Sequence, residues 1–571
     1  MEHGATPRKA TYLHSPLKDA NREVRLLYLH SGDANDTISC TVEVCHIEEA
    51  PIYHAISYTW GSADEQTSIL VDWKSFLVRK NCHYALSQAR LHHAPCYIWI
   101  DSICILQADI LEKSKQVAFM GDIYRTATTV LACVGPHDKN SRILADLPPH
   151  LGISLDSTNY EKISLDDGER WEDWITSKDE PFLTRMCHAI YNFGERPYWY
   201  RLWIVQELFE ARQVEILCGE SRLSYWAVGQ LVGIYLHTSI VIPNRDERHW
   251  KVPYYGMSAF ETVATAILIA PAPVTSGLTD VWRLQCEDPR DRIYGMLRLF
   301  EWFPPEAKPV PDYARPAVDL AMAVLDSVEC FAQASTLLWA LGMNWRDCSL
   351  RRLEQQRRDG LLPSQHPGFQ ELTMNVDICY AARIAQDEHG ILTVRRDSRL
   401  SDDMLASGEA YIPEKALHSV SPSRQPIPLV AAGIKAFLVP SNVQVGDILV
   451  EDEGLPLEKV DGCLMVLRQR SETVFEFVGP ASIAQGYHTR FFTHCECFPN
   501  ADGTAVSGPT VEISISKLDL VLLLAKRERE EDHLEYLTYD WPCKGTLLVQ
   551  REVRGSLLPS LPHFVEKHVP P

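Results

Sequence analysis

Two short apolar runs that flank a helical pattern constrain the fold of this chain more than any other feature. Residues 97–100 read YIWI, and residues 129–134 read TVLACV. Short continuous apolar runs are typical of strands buried on both faces of a sheet. The helix between them begins at Asp109, which has the capping-box spacing to Glu112, and extends to about residue 127. The sequence therefore predicts a parallel strand–helix–strand unit with a right-handed connection.

The flanking patterns extend this unit into an α/β fold. Alternating residues predict strands within 22–47, an apolar strand ends at Gly61, and 69–78 predicts a hairpin. The polar residues 136–180 predict an inserted loop region. Helices are predicted at 81–93, 181–194, 199–211 and 315–342, and another is predicted to start at 287–291, with a proline in its first turn.

We predict four parts along the chain. These are an N-terminal β segment (1–50) packed on an α/β domain (51–215), a helical extension (216–345) and a smaller, mainly β C-terminal domain (370–571). The best candidate for a domain boundary is 345–370, which is charged and then rich in Pro, Gln and His. After about residue 375, short strand-like runs at regular spacing indicate antiparallel β structure.

Charge and the N-terminal sequence limit the partners and the location. The chain carries 55 basic and 76 acidic side chains, a net charge of -21, and an acidic protein repels nucleic acid and anionic lipid. Residues 1–18 lack the apolar core of a signal peptide, and polar residues and prolines interrupt the longest apolar stretch, 260–274. We expect a cytoplasmic protein with free thiols, no nucleic-acid partner and no membrane span.

Three ordered blocks of sequence resemble the fungal heterokaryon-incompatibility (HET) domain. Residues 55–61 read AISYTWG, residues 98–109 read IWIDSICILQAD, and residues 196–207 read RPYWYRLWIVQE. The resemblance is strong over residues 51–210 and loose over 280–490. In one departure from the family pattern, Leu106 replaces the usual Asn of the CINQ segment, which puts any role of that amide in doubt.

The resemblance implies a fold and a biological role. HET domains are similar to TIR domains, so it implies a TIR/flavodoxin-like fold with helical additions. It also implies a cytoplasmic protein of filamentous fungi that acts in allorecognition and programmed cell death. The implied partners are proteins of an incompatibility or sensor system, and a homo-oligomer is compatible with this role. Some TIR domains cleave NAD through a glutamate, so the resemblance makes NAD a candidate substrate. No cofactor is expected.

Two carboxylates are the candidate catalytic residues. Asp101 directly follows the run 97–100, and ligands of open parallel sheets bind beyond the carboxyl ends of the strands; the alternative is a loop aspartate that bonds nearby amides. Glu207 lies with Gln206 and Glu210 on a narrow polar arc of its helix, around Trp203. Such an arc would line a cleft whose apolar neighbours raise the pKa of the carboxyl; the alternative is a solvated helix edge.

Other residues of the three blocks are candidates for ligand binding or for motif roles. Trp60 would stack on a base or a nicotinamide ring, with a packed core tryptophan as the alternative, and Gly61 allows a tight turn. Helix capping alone explains Asp109 and Glu112. Gln116 and Arg125 are expected to face solvent or an interface. The ligand-binding or motif set is Tyr58, Trp60, Gly61, Asp109, Glu112, Gln116, Arg201, Trp203 and Gln206.

The sequence predicts no metal site and lacks several common catalytic motifs. His92-His93 with Cys96, and His488 with the residues 494–497, lack the paired spacing of a structural zinc site. The absence of a P-loop, G-x-G-x-x-G, G-x-S-x-G and H-E-x-x-H weighs against an NTPase, a Rossmann dehydrogenase, an α/β-hydrolase and a zincin.

Three functional hypotheses follow, in this order. The first is a death-signalling or interaction module without catalysis of its own. The second is a glycohydrolase that consumes NAD through Glu207 or Asp101. The third is a regulatory HET-like protein that has lost toxicity, which the Leu106 departure suggests.

Overall fold

The chain divides into two compact units, which are described separately. The first holds the described residues up to 301 together with 310–314, and the second holds 302–309 and the described residues from 315 onward. This computed structural model describes residues 11–139, 141–150, 177–236, 258–281, 283–303, 305–343, 348–386, 388–390, 392–394, 427–431, 434–440, 442–452, 464–471, 474–483 and 510–525.

The first unit is built on a nine-stranded sheet. Its strands in chain order are β1 (Glu23–Leu29), β2 (Ser39–His46), β3 (Tyr53–Tyr58), β4 (Gln66–Val71), β5 (Lys74–Arg79), β6 (Cys96–Trp99), β7 (Thr129–Gly135), β8 (Val214–Cys218) and β9 (Ser221–Ser224). In space they lie in the order β5-β4-β2-β1-β6-β3-β7-β8-β9. A separate parallel pair consists of β10 (Ala272–Pro273) and β11 (Phe300–Glu301).

Four parallel strands form the centre of this sheet. β3 pairs with β6 and with β7, and β7 pairs with β8, all in parallel register. Counted along the chain among themselves, the four lie in the order second, first, third, fourth. The predicted parallel strand–helix–strand unit is confirmed, with β3 lying between its two strands. The hairpin is confirmed as β4 and β5. β1 is hydrogen bonded antiparallel to β6, so the N-terminal segment is part of the sheet rather than packed on it.

Ten helices of the first unit are described. They are α1 (Lys80–His93), α2 (Asp101–Cys104), α3 (Ile110–Thr126), α4 (Ser141–His150), α5 (Glu180–Gly194), α6 (Ile204–Phe209), α7 (Tyr225–Leu236), α8 (Ala259–Ile269), α9 (Val274–Asp280) and α10 (Asp291–Tyr294).

Helices cover both faces of the parallel strands, as the alternation of side chains along β3 shows. The Tyr53 hydroxyl donates to the backbone oxygen of Ile123 in α3, and Ser57, on the same face, contacts α6. On the opposite face, the His54 ring lies 4.6 Å from the His93 ring at the end of α1. The central strands are therefore buried on both sides, which explains their continuous apolar sequences.

Three predictions of helix and loop in this unit were wrong. The region 199–211 is not one helix, because a 3₁₀ turn (Pro197–Tyr200) is followed by extended backbone at Arg201 and only then by α6. The helix expected from 287 is only the four-residue α10, which ends at Gly295, a residue of low helix propensity. Within the loop predicted at 136–180, residues 141–150 form α4, because the Asp138 carboxylate accepts from the Ser141 backbone N–H and caps the first turn.

A buried ion pair joins β1 to α3. The Arg25 guanidinium binds both carboxylate oxygens of Glu112, at 2.6 and 2.9 Å, and the two side chains are only 1% and 6% exposed. Arg25 also donates to the backbone oxygens of Ser15 and Cys104. Glu112 accepts from the backbone N–H of Leu106. Breaking such a pair leaves an uncompensated buried charge, which typically costs about 3–5 kcal/mol.

The second unit combines helices with a sheet. Its helices are α11 (Ala317–Val324), α12 (Phe331–Ala340), α13 (Cys348–Arg358) and α14 (Lys517–Ala525). Its strands are β12 (Glu371–Gln386), β13 (Leu392–Val394), β14 (Ile427–Ala431), β15 (Ile434–Val439), β16 (Ile448–Asp452), β17 (Leu464–Gln469), β18 (Val474–Pro480), β19 (Ser482–Ile483) and β20 (Thr510–Ser516). The helix predicted over 315–342 is interrupted, because a 3₁₀ turn (Leu325–Ser327) and the extended residue Val328 separate α11 from α12.

Five strands of this sheet close into a ring. The long strand β12 pairs with β20 at its start and with β16 farther along. β16 pairs with β17, β17 with β18, and β18 with β20, which completes the closure. The pairing is antiparallel except between β18 and β20 and between β13 and β14. The two units divide near residue 301 rather than at 345–370, so α11–α13 belong to the same compact unit as the strands.

Within the part of the chain that the structure describes, none of the helices combines the length and the apolar character needed to cross a bilayer. The apolar stretch at 260–274 forms α8, which begins with a capping box between Ser258 and Glu261, followed by β10.

Candidate functional site

Polar side chains from distant parts of the chain meet at the carboxyl ends of the parallel strands. We call the set Ser57, Asp101, Tyr198, Arg201 and Glu207 the carboxylate cluster. Ser57 is the last residue but one of β3, and Asp101 follows β6 as the first residue of α2. Tyr198 and Arg201 come from the 3₁₀ turn and the extended residue after it, and Glu207 lies on α6. This is the edge of an open parallel sheet at which ligands bind.

The break in the predicted helix 199–211 positions Arg201. The backbone N–H of Leu202 donates to the oxygen of Gln285, and the N–H of Gln285 donates to the oxygen of Tyr200. This short parallel bridge holds the segment extended, so α6 begins only at Ile204. Glu207 consequently lies in the first turn of α6, where the backbone dipole favours a negative charge.

Glu207 is buried, and its carboxylate is held by specific donors. The side chain is 1% exposed, which rules out the alternative of a solvated helix edge. The Ser57 hydroxyl donates to Oε2, and Ser57 and Tyr198 share a further hydrogen bond of 2.7 Å. Arg201 lies 3.4 Å from Oε1. Burial raises the pKa of Glu207 above its usual range, and Arg201 and Ser57 offset part of that rise.

Asp101 is held at the N-terminus of α2. Its Oδ2 accepts from the Trp60 indole N–H at 2.9 Å, and its Oδ1 accepts from the Ser102 backbone N–H at 2.7 Å. Desolvation raises the pKa of Asp101, while the positive charge of Arg201 and the Trp60 hydrogen bond act in the opposite direction. The Gln107 side chain donates to the backbone oxygen of Asp101 and fixes this turn. Asp101 is therefore a first-turn helix residue that accepts from a nearby amide, in agreement with the alternative predicted from the sequence.

Arg201 couples the two carboxyls. Its guanidinium is an attractive charge for both Asp101 and Glu207, and its side chain is 16% exposed. Its Nη1 atom is buried and has no hydrogen-bond partner. Two carboxyls around one guanidinium leave the site with an excess of acid, which is consistent with the raised pKa values. The unpartnered Nη1 is a donor that an acceptor on a bound molecule would satisfy.

The remaining candidates around the cluster differ in their roles. The Trp60 ring lies against the Arg79 guanidinium, 5.1 Å from the ring centroid, and Arg79 donates to the Gly61 oxygen. Gly61 has φ +74°, and a Cβ there would lie 2.7 Å from the Asn81 side chain, so only glycine fits. Tyr58 is a core residue, 2% exposed, whose hydroxyl donates to Ser102.

Two candidates on or next to α6 attach it to neighbouring elements. The Trp203 indole N–H donates to Asp291, which also accepts from the Tyr313 hydroxyl at 2.6 Å. Gln206 is 4% exposed; with its amide oriented to satisfy both neighbours, its nitrogen donates to the oxygen of Gly295 and its oxygen accepts from the N–H of Gly121.

The candidates on α3 lie outside the cluster and hold the scaffold. Asp109 caps α3 by accepting from Leu111 and Glu112, as predicted. Glu112 does not complete a capping box, because Arg25 and the Leu106 backbone N–H occupy its carboxylate. Gln116 is completely buried rather than solvent-facing, and it donates to the backbone oxygens of Ala20 and Glu23.

Arg125, also on α3, is about half exposed and pairs with Glu210 of α6. Glu210 is the buried partner of this pair, so it does not lie on a solvated helix edge, and neither does Glu207.

The sequence prediction missed Ser57 and Tyr198. Both lie inside the recognised blocks, and the strand period would have placed Ser57 on the Tyr53 face of β3. The hydrogen bond between Ser57 and Glu207, 150 positions apart, depends on the residue at which α6 begins. No local sequence pattern predicts where that helix begins.

No group of three or more His, Cys, Asp or Glu residues suited to a metal ion occurs among the residues described. His93 instead contacts Glu215 at 2.7 Å and the ring of His54. The second predicted group of soft ligands, at 488–497, lies outside the described residues.

Comparison with known proteins identifies the region that contains the cluster. Residues 53–207 match the family described as Heterokaryon incompatibility protein (HET). The chain is also similar to "Heterokaryon incompatibility protein 6, OR allele" of Neurospora crassa, with 28% identity over 249 residues. That similarity covers 38% of this chain and 36% of the relative, so it spans little more than a third of the relative's length. No solved structure matches the chain.

The charge balance of the cluster predicts a specific non-additivity. Glu207→Gln and Asp101→Asn each leave Arg201 with one carboxylate, whereas the double substitution leaves it with none. We expect the double variant to lose about 1–3 kcal/mol more unfolding free energy than the two single variants together. Urea denaturation of the full chain at pH 7.5 measures this difference. Additive losses would show that Arg201 does not depend on the two carboxyls.

Proposed function

We propose that this chain, whose residues 53–207 match the HET family, acts in fungal heterokaryon incompatibility, as a trigger of growth arrest and cell death after fusion of unlike individuals. The incompatibility relative from Neurospora crassa supports this role. The protein would then act in the cytoplasm, where fused cells mix their contents. Its partners would be proteins of an incompatibility or sensor system, and it would also self-associate.

One observation carries the proposal: the carboxylate cluster lies entirely within the matched region. Its members span residues 57 to 207, and Glu207 is the last residue of the match. A buried acid with a raised pKa, coupled to a second acid through one arginine, is costly to keep in a fold. Groups of this kind occur preferentially at functional sites. The cluster is therefore the part of the domain on which we expect function to depend.

Heterokaryon formation tests the proposed role. The gene is introduced into one of two otherwise compatible strains, and the frequency of stable heterokaryons is counted after fusion. We expect the wild-type gene to lower that frequency and Glu207→Gln to restore it, because the substitution removes the buried acid and keeps the shape of the side chain.

Glu49→Gln is the matched control, since Glu49 is exposed and lies outside the HET domain. It should behave like wild type. Equal heterokaryon frequencies with all three genes would argue against the trigger role and would favour a non-toxic regulatory protein.

A second candidate function is hydrolysis of NAD to ADP-ribose and nicotinamide. The order of the four central parallel strands, second-first-third-fourth, is that of a flavodoxin-like sheet and supports a TIR-like fold. The raised pKa of Glu207 and the unpartnered Nη1 of Arg201 favour a ligand at the carboxyl edge of this sheet. Arg201 would bind an acceptor of the dinucleotide, and the Trp60 ring lies close enough to Asp101 to contact the same molecule.

The chemistry of this second candidate assigns a role to each group. The bond between the ribose C1′ and the nicotinamide nitrogen breaks, and nicotinamide leaves with the electron pair. Ionised Glu207 would stabilise the positive charge that develops on the ribose. Water then adds to C1′ and releases a proton, for which Asp101 is the nearby acceptor.

Nicotinamide release by the purified full chain tests the second candidate. Because ionised Glu207 is the active form, activity should rise with pH as this residue loses its proton. The rise should occur above a pH of about 4.3, the ordinary pKa of glutamate, because the pKa of Glu207 is raised. Glu207→Gln should abolish release, and Glu49→Gln should leave it unchanged. Release that persists in Glu207→Gln would exclude this residue as the catalyst.

A further inference from the structure

A cavity of about 700 Å³ lies beside α1 in the first unit, apart from the carboxylate cluster. Its walls come from the loop after β1, the side of α1 that carries Tyr84 and Gln88, the start of α4, and the turn between β8 and β9. None of the five cluster residues lines it. The volume is within the usual range of small-molecule sites, about 300–1,000 Å³.

Gln88 lines this cavity and carries an unsatisfied acceptor. The residue is 3% exposed, and its Nε2 donates to the backbone oxygen of Gly219 at 3.1 Å. That contact fixes the amide orientation, because only the nitrogen can donate to a carbonyl. The Oε1 atom is then buried without any hydrogen-bond partner. An orphaned buried acceptor typically costs about 1–3 kcal/mol, and a donor on a bound molecule would remove that cost.

Two arginines in the lining favour a negatively charged group on a bound molecule. Arg142 is exposed on α4 and makes no ion pair within the part of the chain described. Arg90 also lines the cavity, and its side chain donates to the backbone oxygen of Asp36. Glu220 is the single carboxylate in the lining. Burial, and then the charges of Arg142 and Arg196, lower the pKa of His137, and the two nitrogens of this ring are hydrogen bonded to Ser141 and Ser221.

We propose that this cavity binds a purine nucleoside phosphate. An N–H of the base donates to Gln88 Oε1, the base packs against the Tyr84 ring and Leu91, and the phosphate pairs with Arg142. Purines supply the required donor on a flat apolar ring, and the phosphate supplies a negative charge that balances Arg142. This site extends beyond the proposed incompatibility function and does not depend on it.

Calorimetric titration of the full chain with adenosine 5′-monophosphate, adenosine and inorganic phosphate tests the assignment. The nucleotide should bind more tightly than either of its parts. Arg142→Ala should weaken nucleotide binding by roughly tenfold, the loss of one charge-assisted hydrogen bond, and leave adenosine binding unchanged. Gln88→Met should weaken both the nucleotide and adenosine. Arg185→Ala, which removes an exposed arginine outside the cavity, should change neither.

Several results would overturn the proposal. These are the absence of nucleotide binding at millimolar concentration, nucleotide binding unaffected by Arg142→Ala, and phosphate binding as tight as nucleotide binding. If Gln88→Met fails to fold, Arg142→Ala decides alone, because the Arg142 side chain is exposed. The melting temperature of each variant, compared with Arg185→Ala, shows whether the fold is intact.

Discussion

Burial of the Glu207 carboxylate is the constraint that organises the α/β unit around its site. A carboxylate that is 1% exposed must find partners in the protein, because it has lost its water. Ser57 can serve as a donor only if β3 presents it toward α6, and Arg201 can approach only if the helix is broken before residue 204. The bridge from residues 200–202 to Gln285 creates that break. The sheet, the 3₁₀ turn and a distant backbone segment are thus all required to accommodate one acid.

The sequence blocks that resemble the HET domain contain two kinds of polar residue, which lie in different places in the structure. Glu112 and Gln116 hold the N-terminal segment and β1 to α3, and their burial leaves no surface for a ligand. Asp101, Arg201 and Glu207 converge at the carboxyl edge of the sheet. At the Leu106 departure, the backbone N–H donates to Glu112 and the backbone oxygen accepts from the N–H of Asp109; any residue except proline supplies the first of these bonds.

The sequence predicted the local elements of the first unit better than their arrangement. The apolar runs and the cap at Asp109 defined β6, α3 and β7, because buried strands and helix starts have short-range patterns. The insertion of β3 between β6 and β7 was not predictable, since pairing partners depend on contacts across the chain. For the same reason Glu112 was interpreted as a capping residue, although Arg25, 87 positions away, determines its role. Asp101 and Glu207 were candidates from the sequence, whereas Ser57 and Tyr198, which are hydrogen bonded to each other and through Ser57 to Glu207, were not.

The proposed triggering of cell death through the carboxylate cluster is tested by following viability over time after induced expression. Cultures would express wild type, Glu207→Gln or Glu49→Gln at equal levels of folded protein, with cellular NAD measured in the same samples. Death is expected with wild type and with Glu49→Gln, and survival is expected with Glu207→Gln. A fall in NAD before death would favour NAD hydrolysis as its cause. Death that proceeds unchanged with Glu207→Gln would show that the cluster is not required.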